Sequence, residues 1–116
     1  MLHWDGRTWT QVSSPSPGSD NQLFGVHMTS ATDGWAVGLE SNSVGQDLTL
    51  VLHWDGTSWT QVSSPSPGGS TGGSFLNGVA MVGTADVWSA GGTVFDSTGQ
   101  ERTLLLHWNG RSWTRF

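Results

Sequence analysis

The sequence predicts an all-β protein made of repeated units of four short antiparallel strands. The composition is rich in turn-forming residues, with seventeen glycines among 116 residues, and in large apolar residues, with eight tryptophans. The segment LHWDGTSWTQVSSPSPG at 52–68 nearly repeats residues 2–18, and its first half returns as LHWNGRSWTRF at 106–116. A second segment, LFGVHMTSATDGWAVG at 23–38, matches LNGVAMVGTADVWSAG at 76–91.

Aligning these segments places His3, His53 and His107 in register, which gives a repeat of about fifty residues. Within a repeat we predict four strands, because short runs rich in Val, Leu and Trp alternate with clusters of Gly, Asp, Asn and Ser. In the last repeat they cover residues 78–82, 86–91, 103–108 and 112–116, and the preceding repeat has the same four. Asp-Gly and Asn-Gly pairs predict tight turns between the third and fourth strands, at 5–6, 55–56 and 109–110.

The third strand of the repeat is apolar on both faces. Leu50, Leu52 and Trp54 point to one side, and Val51 and His53 point to the other. A strand with one face in water would alternate apolar and polar residues, so we expect neighbouring sheets to cover this strand on both sides. Four-stranded sheets packed face to face around an axis, the blades of a β-propeller, provide this arrangement with repeats of this length. A β-trefoil is the alternative, but it needs three complete four-stranded units and the sequence has two.

The segments GVAMVGTADVWSAGG and TLLLHWNGRSWTRF, in this order, resemble kelch-type β-propeller repeats. Bacterial extracellular repeat proteins with LHWDG-like and DVWAVG-like segments are more similar still, over essentially the whole chain. Two features depart from kelch repeats: only the last repeat has the paired Gly91-Gly92, and His-Trp replaces the usual tyrosine. The resemblance implies propeller blades, an extracellular parent protein and a binding role directed at carbohydrates.

The repeat divides the chain into three parts. Residues 1–18 hold the third and fourth strands of a partial blade plus a linker, residues 19–71 a complete blade plus a linker, and residues 72–116 a complete blade. Propellers close with roughly four to eight blades, so two blades form an open arc. We therefore expect several copies to assemble into a ring, or the chain to be a fragment of a longer repeat protein. Residues 2–12 either exchange with the equivalent hairpin of another copy or cap an open edge.

The charge composition argues against nucleic-acid and membrane partners. The net charge is −5 with four arginines and no lysine, whereas nucleic-acid surfaces need clustered basic residues. No apolar run approaches the roughly 18 residues of a membrane helix, and we expect no signal peptide within this sequence because Met1 leads directly into the first repeat. Cysteine and tyrosine are absent, and no paired carboxylates or nucleophile-base set recurs, so we expect neither enzyme activity nor a cofactor.

Tryptophans and histidines at fixed positions are interpreted as structural anchors of the repeat, although exposed indoles also stack on sugars. They are Trp4, Trp9, Trp35, Trp54, Trp59, Trp88, Trp108, Trp113, His3, His53 and His107. A ring of histidines would suggest a metal array, but the third strand lies away from the axis of a propeller, so we expect histidines of different blades to be far apart. His27, opposite Ala80 of the next repeat, is either a channel-facing ligand or a tolerated substitution. Asp33 and Asp86 are expected to cap their own backbone in the turn before the second strand.

Two long loops, residues 39–47 and 93–101, are expected on the same face as the SSPSPG linkers. Long loops on a rigid scaffold often bind ligands, and their polar groups suit sugars, peptides or calcium, although such groups are equally typical of solvated loops. The candidate ligand-binding residues are Glu40, Asn42, Asp47, Asp96, Thr98, Gln100 and Glu101. The sequence thus predicts a non-catalytic, self-assembling propeller unit, with a carbohydrate- or peptide-binding module as the alternative.

Overall fold

A computed structural model describes residues 1–69, 72–95 and 99–116. These residues contain no helix and form antiparallel sheets of two, four and four strands, none of which closes on itself, which confirms the all-β prediction. The N-terminal hairpin consists of β1 (Leu2–Trp4) and β2 (Trp9–Gln11). The middle sheet consists of β3 (Asp20–Ser30), β4 (Asp33–Ser41), β5 (Asp47–Trp54) and β6 (Trp59–Gln61). The C-terminal sheet consists of β7 (Gly73–Gly83), β8 (Asp86–Val94), β9 (Glu101–Trp108) and β10 (Trp113–Arg115).

Each four-stranded sheet runs up and down in chain order, as the repeat predicts. The strands differ in length from the prediction. The first strand of the last repeat starts at Gly73 instead of residue 78, and the second continues to Val94 instead of residue 91. This extension is a regular ladder in which Gly73 pairs with Val94 and Phe75 pairs with Gly92, before a β-bulge at Leu76/Gly78.

The predicted tight turns are present in all three hairpins. Gly6, Gly56 and Gly110 have φ values of 97°, 99° and 95°, a conformation that glycine adopts without steric cost. The preceding Asp or Asn accepts hydrogen bonds from the backbone N–H groups two and three residues ahead. At Asp55, for example, Oδ1 accepts from Thr57 at 2.8 Å and from Ser58 at 2.9 Å.

The main core lies between the middle sheet and the C-terminal sheet. The middle sheet contributes Trp35, Val37 and Val51, and the C-terminal sheet contributes Leu76, Met81, Val87, Leu104, Leu106 and Trp113. Gly25 of β3 lies so close to β7 that a Cβ atom there would be 3.1 Å from the carbonyl oxygen of Asn77. The two sheets therefore approach each other closely at their first strands.

A second, smaller core lies on the opposite side of the middle sheet. Ala36, Leu50, Leu52 and Trp59 are buried there, with Met1, Val12 and Trp54 packed against them. Met1 and Val12 belong to the N-terminal hairpin, which thus covers part of this side. Because Val51 faces the first core and Leu50 and Leu52 face the second, β5 is buried on both faces, as its sequence predicts.

Candidate functional site

The polar residues of the loop after β4 mainly bond to one another. Asn42 Oδ1 accepts hydrogen bonds from the backbone N–H groups of Val44 and Gln46, at 3.1 and 3.0 Å. Asp47 Oδ1 accepts from the Ser41 hydroxyl at 2.6 Å. Gln46 also donates its side-chain amide to the Gly69 carbonyl, which ties the loop to the following linker. These contacts organise the loop itself.

The remaining loop candidates are dispersed. Glu40 Oε1 accepts a hydrogen bond from the Gln61 amide at 3.4 Å. Gln100 Oε1 accepts from Arg102 at 3.0 Å, and Glu101 is an exposed residue at the start of β9. Asp96 and Thr98 lie outside the described residues. In the part of the chain that the structure describes, no three His, Cys, Asp or Glu side chains are grouped so as to hold a metal ion.

Two of the repeated histidines form matching pairs with the aspartates of the turn. His53 Nε2 lies 2.7 Å from Asp33 Oδ1, and His107 Nε2 lies 2.7 Å from Asp86 Oδ1. Each imidazole also packs on the repeat tryptophan, with ring centroids 4.5 Å apart in the middle sheet and 4.3 Å apart in the C-terminal sheet. The expectation that the two aspartates cap their own backbone missed this long-range partner, and the pair fixes the third strand to the turn between the first and second.

His27 joins the two large sheets. Its Nδ1 accepts a hydrogen bond from the backbone N–H of Met81 at 2.7 Å. The bond requires an unprotonated Nδ1, because only that form has a lone pair to accept the proton. Ala80 occupies the equivalent position in the last repeat, so this bond is particular to the junction between the middle and C-terminal sheets.

Backbone N–H groups lower the pKa of Asp5 and Asp55, the aspartates of two of the hairpin turns. The N–H groups of Ser58 and Thr57 lower the pKa of Asp55 from 3.8 to about 2. The N–H groups of Thr8 and Arg7 lower the pKa of Asp5 in the same way. Both carboxylates stabilise their own hairpin turns, because the Oδ1 atom of each accepts hydrogen bonds from backbone N–H groups of that turn.

One uncovered apolar surface lies on the outer side of the C-terminal sheet; we call it the distal face. It consists of Trp88, Ala90, Leu105 and Phe116. Leu105 is 38% exposed and Phe116 74% exposed, and Phe116 packs on Trp88 with ring centroids 5.0 Å apart. Large apolar side chains grouped in this way are typical of interaction surfaces.

A second uncovered apolar surface, the proximal face, lies on the side of the middle sheet that the hairpin partly covers. Leu23, Val26 and Met28 of β3 are exposed there, Val26 by 58%. Val26 and Met28 border a cleft of about 310 Å³ between β3 and the hairpin. The cleft is lined by Met1, Leu2, His3, Val12, Val26, Met28, Ser30, Ala31, Trp54 and Trp59.

The cleft is lined by repeat equivalents of the residues that surround Trp35 in the main core. In the main core Trp35 packs on Trp108 and Trp113, at centroid distances of 4.9 and 5.2 Å, and in a cluster with Val79 and Met81. The residues equivalent to these four in the preceding repeat all line the cleft; they are Trp54, Trp59, Val26 and Met28. The cleft is therefore the counterpart of the pocket that holds an indole in the main core.

The distal face corresponds by repeat equivalence to the half of the main core that the middle sheet contributes. Trp35, Val37 and Val51 of the middle sheet align with residues of the C-terminal sheet, namely Trp88, Ala90 and Leu105. Sequence reasoning named the tryptophans as anchors but did not identify either face as a site. The internal repeat carried the signal: residues whose repeat equivalents pack against a neighbouring sheet recur at positions that no further four-stranded sheet of the described residues covers.

Comparison with protein-family models, curated proteins and solved structures finds no match for this chain. Among the described residues, no helix has the length and apolar character needed to cross a membrane. The two apolar faces are therefore the features of the molecule that bear on its function.

Proposed function

We propose that the protein is a non-catalytic, self-assembling β-propeller unit whose copies associate head to tail, the distal face of one copy on the proximal face of the next. Each copy contributes two complete four-stranded sheets. Because propellers have roughly four to eight blades, a closed ring would contain roughly two to four copies. The product is a scaffold, with the loops between the second and third strands displayed around it.

The observation that carries this proposal is the repetition of one interface. The junction between the middle and C-terminal sheets buries Trp35 in a pocket of Val79, Met81, Trp108 and Trp113. The same two halves recur at opposite ends of the molecule, where the distal face is uncovered and the proximal face is covered only in part, by the N-terminal hairpin. Trp88 of one copy fits the cleft beside Trp54 and Trp59 of another as Trp35 fits its own pocket. Such a contact joins two different surfaces, so it forms a ring when the rotation between copies closes.

The second copy is the occupant that the residues favour. The distal face presents the indole of Trp88 and the aliphatic side chains of Ala90 and Leu105, from β8 and β9. The proximal face matches these side chains because its residues are the repeat equivalents of those in the C-terminal sheet that pack against the middle sheet. The same faces would be covered by further repeats if the chain is part of a longer extracellular propeller. Covering an apolar face stabilises by about 25 cal/mol per Å² of surface removed from water, so either form of coverage is favourable.

The experiment is sedimentation velocity over a concentration series with two charge-matched variants. Leu105→Asp places a carboxylate in the distal face, whereas Val44→Asp places one on the exposed loop after β4. We expect the wild type and Val44→Asp to form one defined species, roughly a dimer to a tetramer, and Leu105→Asp to be monomeric. A wild type that stays monomeric at every concentration, with native far-UV circular dichroism, contradicts the proposal.

A carbohydrate- or peptide-binding role is the second candidate, supported by the tryptophans of the hairpin. Trp4 and Trp9 are both exposed, with ring centroids 5.7 Å apart, and present indole surface on which a sugar ring can stack. A glycan array with the wild type and Trp9→Ala tests this role. Binding that the variant loses would support it, and a blank array for the wild type would count against it.

A further inference from the structure

The N-terminal hairpin occupies part of the surface that a second copy would need. Its Met1 and Val12 pack on the proximal face beside Leu50, Leu52 and Trp59. The repeat aligns Met1 and Val12 with Val51 and Val62 in the middle repeat, and with Leu105 and Phe116 in the last. The backbone agrees, because the same hydrogen bond joins each pair: Val12 N to Met1 O at 2.8 Å, and Phe116 N to Leu105 O at 2.8 Å.

Two hairpins therefore compete at each junction between copies. The inner part of the proximal face is open, and β7 and β8 of a second copy fit there. The outer part takes either the hairpin of the receiving copy or β9 and β10 of the arriving copy, but not both, because Val12 and Phe116 are repeat equivalents that would use the same position. One hairpin must leave.

The strand pairing decides which hairpin leaves. β9 pairs with β8 along its whole length, from Glu101 opposite Val94 to Trp108 opposite Val87. The N-terminal hairpin forms a separate two-stranded sheet, and two-stranded hairpins alone are marginally stable. Trp9 is 66% exposed, whereas its equivalents Trp59 and Trp113 are 9% and 4% exposed. Releasing the N-terminal hairpin sacrifices less buried surface and fewer backbone hydrogen bonds than peeling β9 from β8.

We infer that the N-terminal hairpin is a displaceable cap that shields the proximal face of the single copy and is released when a second copy docks. The inference rests on the proposed head-to-tail assembly. Because only the uncapped state can receive a partner, the cap raises the apparent Kd between copies by a factor equal to the inverse of the fraction of time that the face is uncapped. It is thus an autoinhibitory contact built from the same residues as the interface that it blocks.

Two substitutions at equivalent positions separate this cap from strand exchange, in which the N-terminal hairpin would replace β9 and β10 of the other copy. Val12→Asp loosens the cap, and Phe116→Asp damages the docking sheet, with Val44→Asp as the charge-matched control. Displacement predicts that Val12→Asp tightens association by about tenfold and that Phe116→Asp weakens it by about tenfold, the scale of a single interface side chain. Exchange predicts the opposite signs, because Val12 then lies in the interface and Phe116 does not.

Trypsin supplies an independent readout, since Arg7 and Arg111 occupy equivalent turns in the two competing hairpins. We expect cleavage after Arg7 to be faster in the assembled protein than in the dilute monomer, with cleavage after Arg111 no faster. Faster cleavage after Arg111, or weaker association of Val12→Asp, overturns the cap while leaving the assembly intact. A wild type that is monomeric at every concentration overturns the assembly and the cap together.

Discussion

Replacing Trp35 and Trp88 separately by alanine measures how much a covering sheet contributes to stability. The two residues are repeat equivalents, each at the same place in the second strand and each against the histidine of the third. Trp35 is 1% exposed and also contacts Trp108 and Trp113 of the C-terminal sheet. Truncating a buried Trp costs about 3–5 kcal/mol of unfolding free energy, and we expect Trp35→Ala to lie in this range.

Trp88→Ala should cost less in the monomer. Its ring lies on the distal face, with the ring centroid of His107 at 4.3 Å and that of Phe116 at 5.0 Å, and no sheet formed by the described residues covers it. We expect about 1–2 kcal/mol, because less apolar surface is lost from contact and aromatic pairs contribute about 0.5–1.5 kcal/mol beyond the buried area. The same variant should, however, abolish association, since it removes the side chain that enters the cleft.

Urea denaturation followed by far-UV circular dichroism measures both variants without relying on tryptophan emission. The protein must be dilute enough for the wild type to be monomeric, so that assembly adds nothing to the unfolding free energy. Since single domains are stable by about 5–15 kcal/mol, Trp35→Phe serves as a milder variant if Trp35→Ala does not fold. Equal costs for Trp35→Ala and Trp88→Ala would refute the view that the C-terminal sheet is what buries Trp35.

Three further predictions test the core, the turns and the histidine pairs. Leu104→Ala should cost about 2–5 kcal/mol in the same urea assay because Leu104 is fully buried, whereas neighbouring Leu105→Ala should cost under about 1 kcal/mol and instead weaken association. Asp55, with its pKa lowered from 3.8 to about 2, should contribute stability above about pH 4 that is lost as the pH falls towards 2; Asp55→Asn should reduce this loss in an acid titration followed by circular dichroism. Removing the acceptor of the 2.7 Å pair by Asp33→Ala should cost about 1–3 kcal/mol, and a double-mutant cycle with His53→Ala should give less than the sum of the two.

The repeat made the arrangement of strands predictable. The segments flanking Asp5-Gly6, Asp55-Gly56 and Asn109-Gly110 form hairpins because the glycines take positive φ values and the preceding side chains cap the turns. The third strand of the middle repeat, β5, is buried on both faces, as expected from apolar residues that do not alternate with polar ones. These features are local, since each depends on side chains within a few residues.

The strand lengths were less predictable. Residues 73–77, which read Gly-Ser-Phe-Leu-Asn, lack the alternation of a half-buried strand, but they pair with β8 through backbone groups. The buried hydroxyls of Ser74 and Thr93 then bond to each other at 2.9 Å, which allows polar residues to lie inside the sheet. Pairing between distant segments supplied the order that the local pattern did not indicate.

The contacts of the candidate site residues were not predictable for a related reason. Loop residues such as Asn42 and Asp47 have the polar groups that binding sites use, but the structure uses those groups to shape the loop. The partners of Asp33 and Asp86 are histidines about twenty residues away, so a local turn rule could not identify them. The two proposed assembly faces consist of apolar residues, of which the sequence analysis named only the tryptophans, as structural anchors of the repeat.

Burial in a repeat protein is a property of the neighbour as much as of the residue. Trp9, Trp59 and Trp113 stand in nearly the same local sequence and the same turn, yet their exposed fractions are 66%, 9% and 4%. Trp113 is covered by the middle sheet, Trp59 by the hairpin in part, and Trp9 by no sheet. Because the local sequence is nearly constant, the differences in exposed fraction reflect which neighbouring sheet or hairpin covers each tryptophan. The repeat also indicates which surface would cover Trp59. Trp113 is covered by Trp35 and the rest of the middle sheet, and the repeat equivalents of those covering residues lie on the distal face.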